Sequence, residues 1–402
     1  MFRRGFAKFR NSFATPAFKA SLPTIATSTV NKIGDLGLKF FPMLLVDYSF
    51  SNEESSLILG FSKVAIAIGI LWGGFSGDKF GFRNVILTSF AISAIGLASI
   101  PYMSSFASIL LAAMLAGFGQ GLFRPTVRLL LTQTVPQPMW RESFAWLRTA
   151  FNGAVLISNF ITFIFSQVGL KVIFLFDAAT SILAFLFGLK FLPSQSLAPN
   201  STDVENPLTE RPFALLTNKK VLSFIAILLS YDFMTDLFFS VSAAQSRIVF
   251  KDRGIAVFSM IFMINTFLCM GLTVWLTKKI HSFRASLTTG IILTFLSTIV
   301  LGMGKDFMWA YIVAVLLQTI GELFFTAFSQ TLLFDLLPQK SHQGAIYSLI
   351  LLIQFTAKAI GSSATFYFID SNFIWIVGMG IYSLFCIWLI KNLQVGNELQ
   401  KN

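Results

Sequence analysis

The side chains able to do chemistry in this chain are charged groups embedded in long apolar stretches. Asp232 and Asp236 stand four residues apart with Tyr231 beside them, Glu322 follows Gly321, and Lys358 follows Gln354 by four residues. Nearer the N-terminus, Ser28, Lys32, Asp35 and Lys39 recur at spacings of four, three and four; Lys63, Arg124, Arg128, Arg148 and Asp177 interrupt later apolar runs. An ionisable group inside a membrane-spanning helix costs at least ~2.5–3.5 kcal/mol on insertion scales, so each is a functional candidate by default. Two carboxylates one helical turn apart in a low dielectric resist double ionisation, the property a proton carrier needs. Arginines four apart, such as Arg124 and Arg128, can hold a carboxylate or phosphate through forked, charge-assisted hydrogen bonds.

These groups need helices to position them. Of the 402 residues, 55% are hydrophobic and only 12% charged, against roughly 25% charged in soluble domains; mean hydropathy is +0.74. The composition is that of a polytopic membrane protein. Cys269 and Cys386 both lie in apolar runs, which argues against a disulfide framework and a metal site. No cofactor is expected. The net charge of +12 comes from 30 Lys and Arg against 18 Asp and Glu. Most of these cations fall in segments assigned to the cytoplasmic side, the positive-inside distribution with both termini cytoplasmic. A nucleic-acid binder would concentrate them on one soluble face, so nucleic acid is not an expected partner.

Residues 1–19 carry Phe2, Phe6, Phe9 and Phe13 at helical spacing among Arg3, Arg4, Lys8 and Arg10. That pattern predicts an amphipathic helix on the membrane surface, with an organelle targeting segment as the other reading. Six spans are expected at 20–46, 56–75, 84–103, 107–133, 143–166 and 172–192, as a first bundle over 20–192. A polar, proline-containing cytoplasmic linker follows at 193–220. Six more spans at 221–244, 255–277, 286–303, 308–334, 344–367 and 373–391 form a second bundle over 221–392, before a tail at 393–402. Trp140 and Trp146 read as interfacial anchors. Asp177 reads as an interfacial acid near a helix start, and Lys358 as a partner for Glu322.

An internal repeat supports two related bundles. Gly119-Gln120-Gly121-Leu122-Phe123 and Pro136-Gln137 recur as Gly321-Glu322-Leu323-Phe324-Phe325 and Pro338-Gln339, each 202 residues later. Asp236 lies 201 residues after Asp35, close to the same register. Between the second and third expected spans lies Gly73-Gly74-Phe75-Ser76-Gly77-Asp78-Lys79-Phe80-Gly81-Phe82-Arg83, read as a short charged hairpin.

Gly74-x-x-x-Asp78-Lys79-x-Gly81-x-Arg83 resembles the loop between helices 2 and 3 of the major facilitator superfamily. The resemblance, closest to the twelve-span drug:proton antiporter branch, covers roughly 20–392. It implies an all-α membrane fold of twelve transmembrane helices in two pseudo-symmetric six-helix bundles. It further implies alternating access, with Gly74, Asp78, Lys79, Gly81 and Arg83 as the conformational latch. The chain departs from that branch near Ala113, where its arginine is missing, and at Gly153–Asn159, which lacks its Gly-Pro.

The expected function is a secondary transporter moving a small organic anion or zwitterion across a bacterial inner membrane, coupled to protons and monomeric in the bilayer. Lys32, Asp35, Lys39, Arg124, Arg148 and Lys358 are the expected substrate-binding residues; Asp232, Asp236 and Glu322 are the expected proton carriers. Multidrug efflux of lipophilic compounds and a non-transporting receptor or scaffold are the alternatives. An enzyme is not expected, since neither Gly-x-Ser-x-Gly, His-Glu-x-x-His nor a nucleotide-binding loop occurs.

Overall fold

The computed structural model of the chain describes residues 15–48, 50–165, 167–193, 219–279, 282–336 and 343–392. Most of the expected surface helix, the 194–218 part of the linker and the 393–402 tail lie outside the described residues, as does the side chain of Asp78.

All regular structure among the described residues is helical. In chain order come α1 (Pro16–Gly34), α2 (Gly37–Val46), α3 (Asn52–Phe80), α4 (Phe82–Ser99), α5 (Phe106–Thr134), α6 (Trp140–Phe165) and α7 (Leu170–Phe191). Then follow α8 (Lys219–Phe250), α9 (Gly254–Lys279), α10 (Phe283–Met303), α11 (Met308–Leu336), α12 (Gln343–Asp370) and α13 (Asn372–Asn392). Helix starts at 16, 52, 82, 106, 140 and 170 recur at 219, 254, 283, 308, 343 and 372, offsets of 201 to 203. The repeat found in short motifs therefore extends through the helix boundaries. Eight helical stretches among the described residues are long and apolar enough to cross a membrane, one of them joining α8 and α9. The chain is a multi-pass membrane protein.

Two expectations need correction. The first span is not one helix. Thr15 accepts the Phe18 amide at 3.3 Å and Pro16 occupies the first turn, which starts α1 cleanly. The backbone leaves the helical region at Asp35 (φ −59°, ψ 63°) and α2 restarts at Gly37. A restarting helix exposes unpaired amides; Asp177 Oδ2 accepts those of Leu36 at 3.2 Å and Gly37 at 2.9 Å. Asp177 is 1% exposed, so it is an internal cap of α2 and not an interfacial acid. The break also ends the common helical face expected for Ser28, Lys32, Asp35 and Lys39.

The second correction concerns the charged hairpin. α3 continues through Phe80, and a single residue, Gly81, turns the chain into α4 with φ +81°. That left-handed backbone suits glycine. Asp78 and Lys79 therefore belong to the last turn of a helix. Arg83 donates to the carbonyls of Leu189 at 2.9 Å and Leu192 at 3.1 Å. It thereby closes the C-terminal end of α7, where a cation is favoured. A β-carbon at Gly74 would meet nothing within 4 Å, whereas one at Gly73 would lie 2.8 Å from the Leu122 carbonyl. Close helix approach is thus a property of Gly73.

The described residues divide between two compact units, one drawn from within 1–37, 65–158 and 171–204 and the other from within 38–64, 159–170 and 205–402. In the first, α4 and α5 are the most extensively packed pair, around a core that includes Ile86, Phe90, Phe123, Val127 and Leu131. Trp140 Nε1 donates to the Val135 carbonyl at 2.8 Å, and Trp146 meets Phe18 edge-on at 4.9 Å. In the second unit the repeat equivalents, α10 and α11, pack as extensively, α12 lies along α8, and Phe40 meets Phe258 edge-on at 5.1 Å.

Candidate functional site

The second unit gathers most of the buried charge. The 3.6-residue repeat of α8 puts Asp232 and Asp236 on one face, and each finds its own cation. Lys358 Nζ on α12 lies 3.3 Å from Asp232 Oδ1; Lys63 Nζ on α3 lies 2.9 Å from Asp236 Oδ1. Ser362, one turn beyond Lys358, donates its hydroxyl to Asp236 Oδ2. Both oxygens of Asp236 are therefore engaged, one by a cation and one by a buried hydroxyl.

The sequence pointed to Glu322 as the partner of Lys358; the lysine pairs instead with Asp232. Glu322 on α11 accepts from Asn265 Nδ2 at 3.1 Å, and the same amide donates to Thr319 Oγ1 at 3.1 Å. Around it, Gln318 accepts from Ser297 at 3.1 Å and donates to Thr235 at 3.2 Å. The Tyr231 ring stacks on Phe325 at 3.7 Å. Lys39, expected on the first-span polar face, instead lies 5.6 Å from the centre of the Phe262 ring, a cation–π distance.

At the end of α8, the Arg247 guanidinium takes Asp47 in a two-pronged contact, Nε to Oδ1 at 2.7 Å and Nη2 to Oδ2 at 3.0 Å. Its remaining nitrogen reaches the Lys251 carbonyl at 2.9 Å and Asp252 at 3.3 Å. This fork joins the residue after α2 to the turn that ends α8. Burial, and then the neighbouring Asp47 carboxylate, push the Tyr48 phenol above its ordinary range.

In the first unit, Lys32 forms an ion pair with Asp35 across one turn and lies 5.8 Å from the Phe151 ring centre. Asn31 donates to Ser181 at 3.0 Å. Arg124 is half-buried beside Pro125, whereas Arg128 and Arg148 are exposed. Arg148 therefore sits apart from Lys32 and Asp35 in burial as well as in sequence.

The structure thus brings Asp232, Asp236, Glu322 and Lys358 into one polar region of α8, α11 and α12. Sequence reasoning singled out Lys63 as a buried charge without assigning it to the site, because its partner lies 173 residues away. It missed Asn265 and Ser362 altogether. The signal available was spacing: Ser362 follows Lys358 by four residues, as Asp236 follows Asp232. Among the described residues no group of three or more His, Cys, Asp or Glu could hold a metal ion.

The multidrug resistance protein MdtH of Aeromonas salmonicida is 30% identical over 205 residues, which cover 48% of this chain and 49% of that protein. The hexuronate transporter of Bacillus subtilis is 24% identical over 228 residues, covering 54% of this chain and 53% of that protein. The chain spans about half the length of these curated relatives, and in a Na(+), Li(+), K(+)/H(+) antiporter of Planococcus maritimus only 29%. A crystal structure of a POT family transporter in complex with a thioalcohol-conjugated peptide shares the fold, with a TM-score of 0.75 at 16% identity. That likeness covers 93% of this chain and 96% of the other. The family model described as Major Facilitator Superfamily matches residues 36–362, most of the chain, so the chain belongs to the major facilitator superfamily.

Proposed function

We propose that the chain is a twelve-span secondary transporter, with α1 and α2 as a single interrupted span, that moves a small organic anion or zwitterion by proton-coupled alternating access. The observation that carries this reading is Asp236, whose two oxygens are held by Lys63 and Ser362 within apolar helices. A carboxylate so placed is stable while ionised and paired; adding a proton cancels the charge and leaves the lysine without its counter-ion. Asp232 with Lys358 repeats the arrangement one turn away. Glu322, held by a neutral amide, is the third proton carrier. Lys32 with Asp35, Arg124, Arg148 and Lys39 supply cationic character for a carboxylate or phosphate-bearing substrate, and the hexuronate transporter among the relatives fits an anionic cargo. The bacterial inner membrane, with both termini cytoplasmic, is the proposed location.

The test is flux of radiolabelled anionic metabolites into proteoliposomes under an imposed pH gradient. Wild type is expected to accumulate substrate only with the gradient, and Asp236→Asn to lose at least ten-fold of that uptake. Accumulation indifferent to the gradient in both proteins would remove the proton role. A multidrug exporter is the second reading, favoured by the similarity to MdtH. It predicts instead that resistance to lipophilic compounds depends on Asp35 and Glu322.

A further inference from the structure

Beside its carboxylates, the second unit holds a cluster of five phenylalanines that is only partly sealed. Phe40 of α2, Phe238 of α8 and Phe258 of α9 are fully buried. Phe239 of α8 and Phe262 of α9, which complete the cluster, are half-buried. Their rings lie 4.9 Å apart and 17° from parallel, an offset stack. Phe258 braces Phe262 edge-on at 4.9 Å, and Phe238 braces Phe239 edge-on at 5.3 Å. The stacked pair is therefore held in place by buried neighbours while keeping some surface open.

That open surface is turned toward the polar region. Phe239 follows Asp236 by three residues and Asp232 by seven, which sets it on the charged face of α8. On α9, Phe262 precedes Asn265 by three, and Asn265 reaches Glu322. The exposed phenylalanine of α9, Phe267, stands five residues after Phe262, on nearly the opposite side of the helix. Lys39 of α2 approaches the pair with Nζ 5.6 Å from the Phe262 ring centre. A cation at this depth faces protein or water and not lipid. Two braced rings and an adjacent ammonium are the parts of a site for a flat anion.

We propose that Phe239 and Phe262 form an aromatic platform with Lys39 as its carboxylate anchor, and that the cargo is a planar aromatic or heteroaromatic carboxylate. The proposal rests on the anion-transport reading and names the shape of the anion. The ring of the cargo extends the phenylalanine stack, which favours an arene over a saturated ring of the same size. Its carboxylate accepts from Lys39 in a charge-assisted hydrogen bond, a stronger contact for an ammonium than the face of a ring. The flexible lysine stem allows Nζ to move from the ring to the carboxylate. Lys63 and Lys358 each contact a carboxylate of α8, so the cation nearest the platform is Lys39.

Isothermal titration of the full chain in lipid nanodiscs compares benzoate with cyclohexanecarboxylate, which carries the same charge on a six-membered ring without a π face. Benzoate is expected to bind about three- to ten-fold more tightly, the range of an aromatic contact beyond area burial. Phe262→Leu should bring the two ligands within about two-fold of each other by weakening benzoate alone, and Phe262→Tyr should restore the preference. Lys39→Met should weaken both ligands about ten-fold or more, whereas loss of a lysine that only packs on the ring would change neither. Retained binding of cyclohexanecarboxylate shows that Phe262→Leu is folded; should it not fold, Phe239→Leu takes its place with the same expectation. Equal affinity for the two ligands in wild type, or a benzoate preference that survives in the folded leucine variant, overturns the platform. Unchanged affinities in Lys39→Met overturn the anchor.

Flux separates this from the underlying reading. Gradient-driven uptake of non-aromatic anions without a benzoate preference leaves anion transport standing and removes the platform. A benzoate preference that follows these substitutions without gradient-driven uptake supports the platform and removes proton coupling.

Discussion

Gly69→Leu is expected to abolish correct assembly of the first unit, lost as a monodisperse peak on size exclusion in detergent. Gly69 on α3 faces Gly121 on α5. A β-carbon at Gly69 would overlap the Phe118 carbonyl and lie 3.0 Å from the Gly121 Cα; one at Gly121 would overlap the Ile66 carbonyl. These obstacles are backbone, so no rotamer change relieves them. In a bilayer, helix association relies on such close packing because lipid supplies no hydrophobic drive between helices. Overpacking a core costs about 1–3 kcal/mol even where side chains yield, and more is expected where two helix axes must separate. Gly74→Leu, five residues on and open to space, is the matched control and should elute as wild type. Equal elution of both variants would show that α3 and α5 do not depend on this crossing.

Asp177→Ala is the second large effect, at about 3–5 kcal/mol of unfolding free energy. The substitution removes an acceptor that serves two buried amides, those of Leu36 and Gly37. Hydrogen bonds to a charged group contribute ~1.5–3 kcal/mol each, and unpaired buried amides carry their own desolvation cost. Asp177→Asn keeps one oxygen to accept both amides and should lose roughly half as much. The readout is the thermal midpoint of purified protein in a single detergent. An unchanged midpoint for Asp177→Ala would mean that the break in the first span is capped by something else.

Much of this architecture was legible in the residues. Spans were set by unbroken apolar runs, and the 202-residue offset of two short motifs anticipated helix starts that recur within one residue of it. The break at Asp35 was not legible, because the hydropathy of 20–46 is continuous and the group that stabilises the interruption lies more than a hundred residues away. The helical path of Asp78 and Lys79 was missed for a local reason. Charge at the end of an apolar run is equally at home in a loop or in the last turn of a helix; only the sign of φ at Gly81 separates the two.

The candidate site divides in the same way. Asp232, Asp236, Glu322 and Lys358 were recognisable because charge in hydrocarbon stands out in any hydropathy profile. Which cation serves which carboxylate was not, since pairing depends on the separations of α3, α8 and α12. Position along the chain is also a poor guide to which charges share a unit. Lys39 and Lys63 precede the midpoint of the chain yet belong to the unit that holds the acids. In that unit, Lys63 and Lys358 stand in direct contact with two of the three carboxylates.

The cap on α2 also bears on how the protein is made. Synthesis proceeds from the N-terminus, so the amides of Leu36 and Gly37 leave the ribosome 141 and 140 residues before the carboxylate that satisfies them. Until then water, headgroups or the insertion machinery must serve them, because bare amides are not tolerated in hydrocarbon. The junction of α1 and α2 therefore reaches its mature shape only after α7 has been delivered to the bilayer.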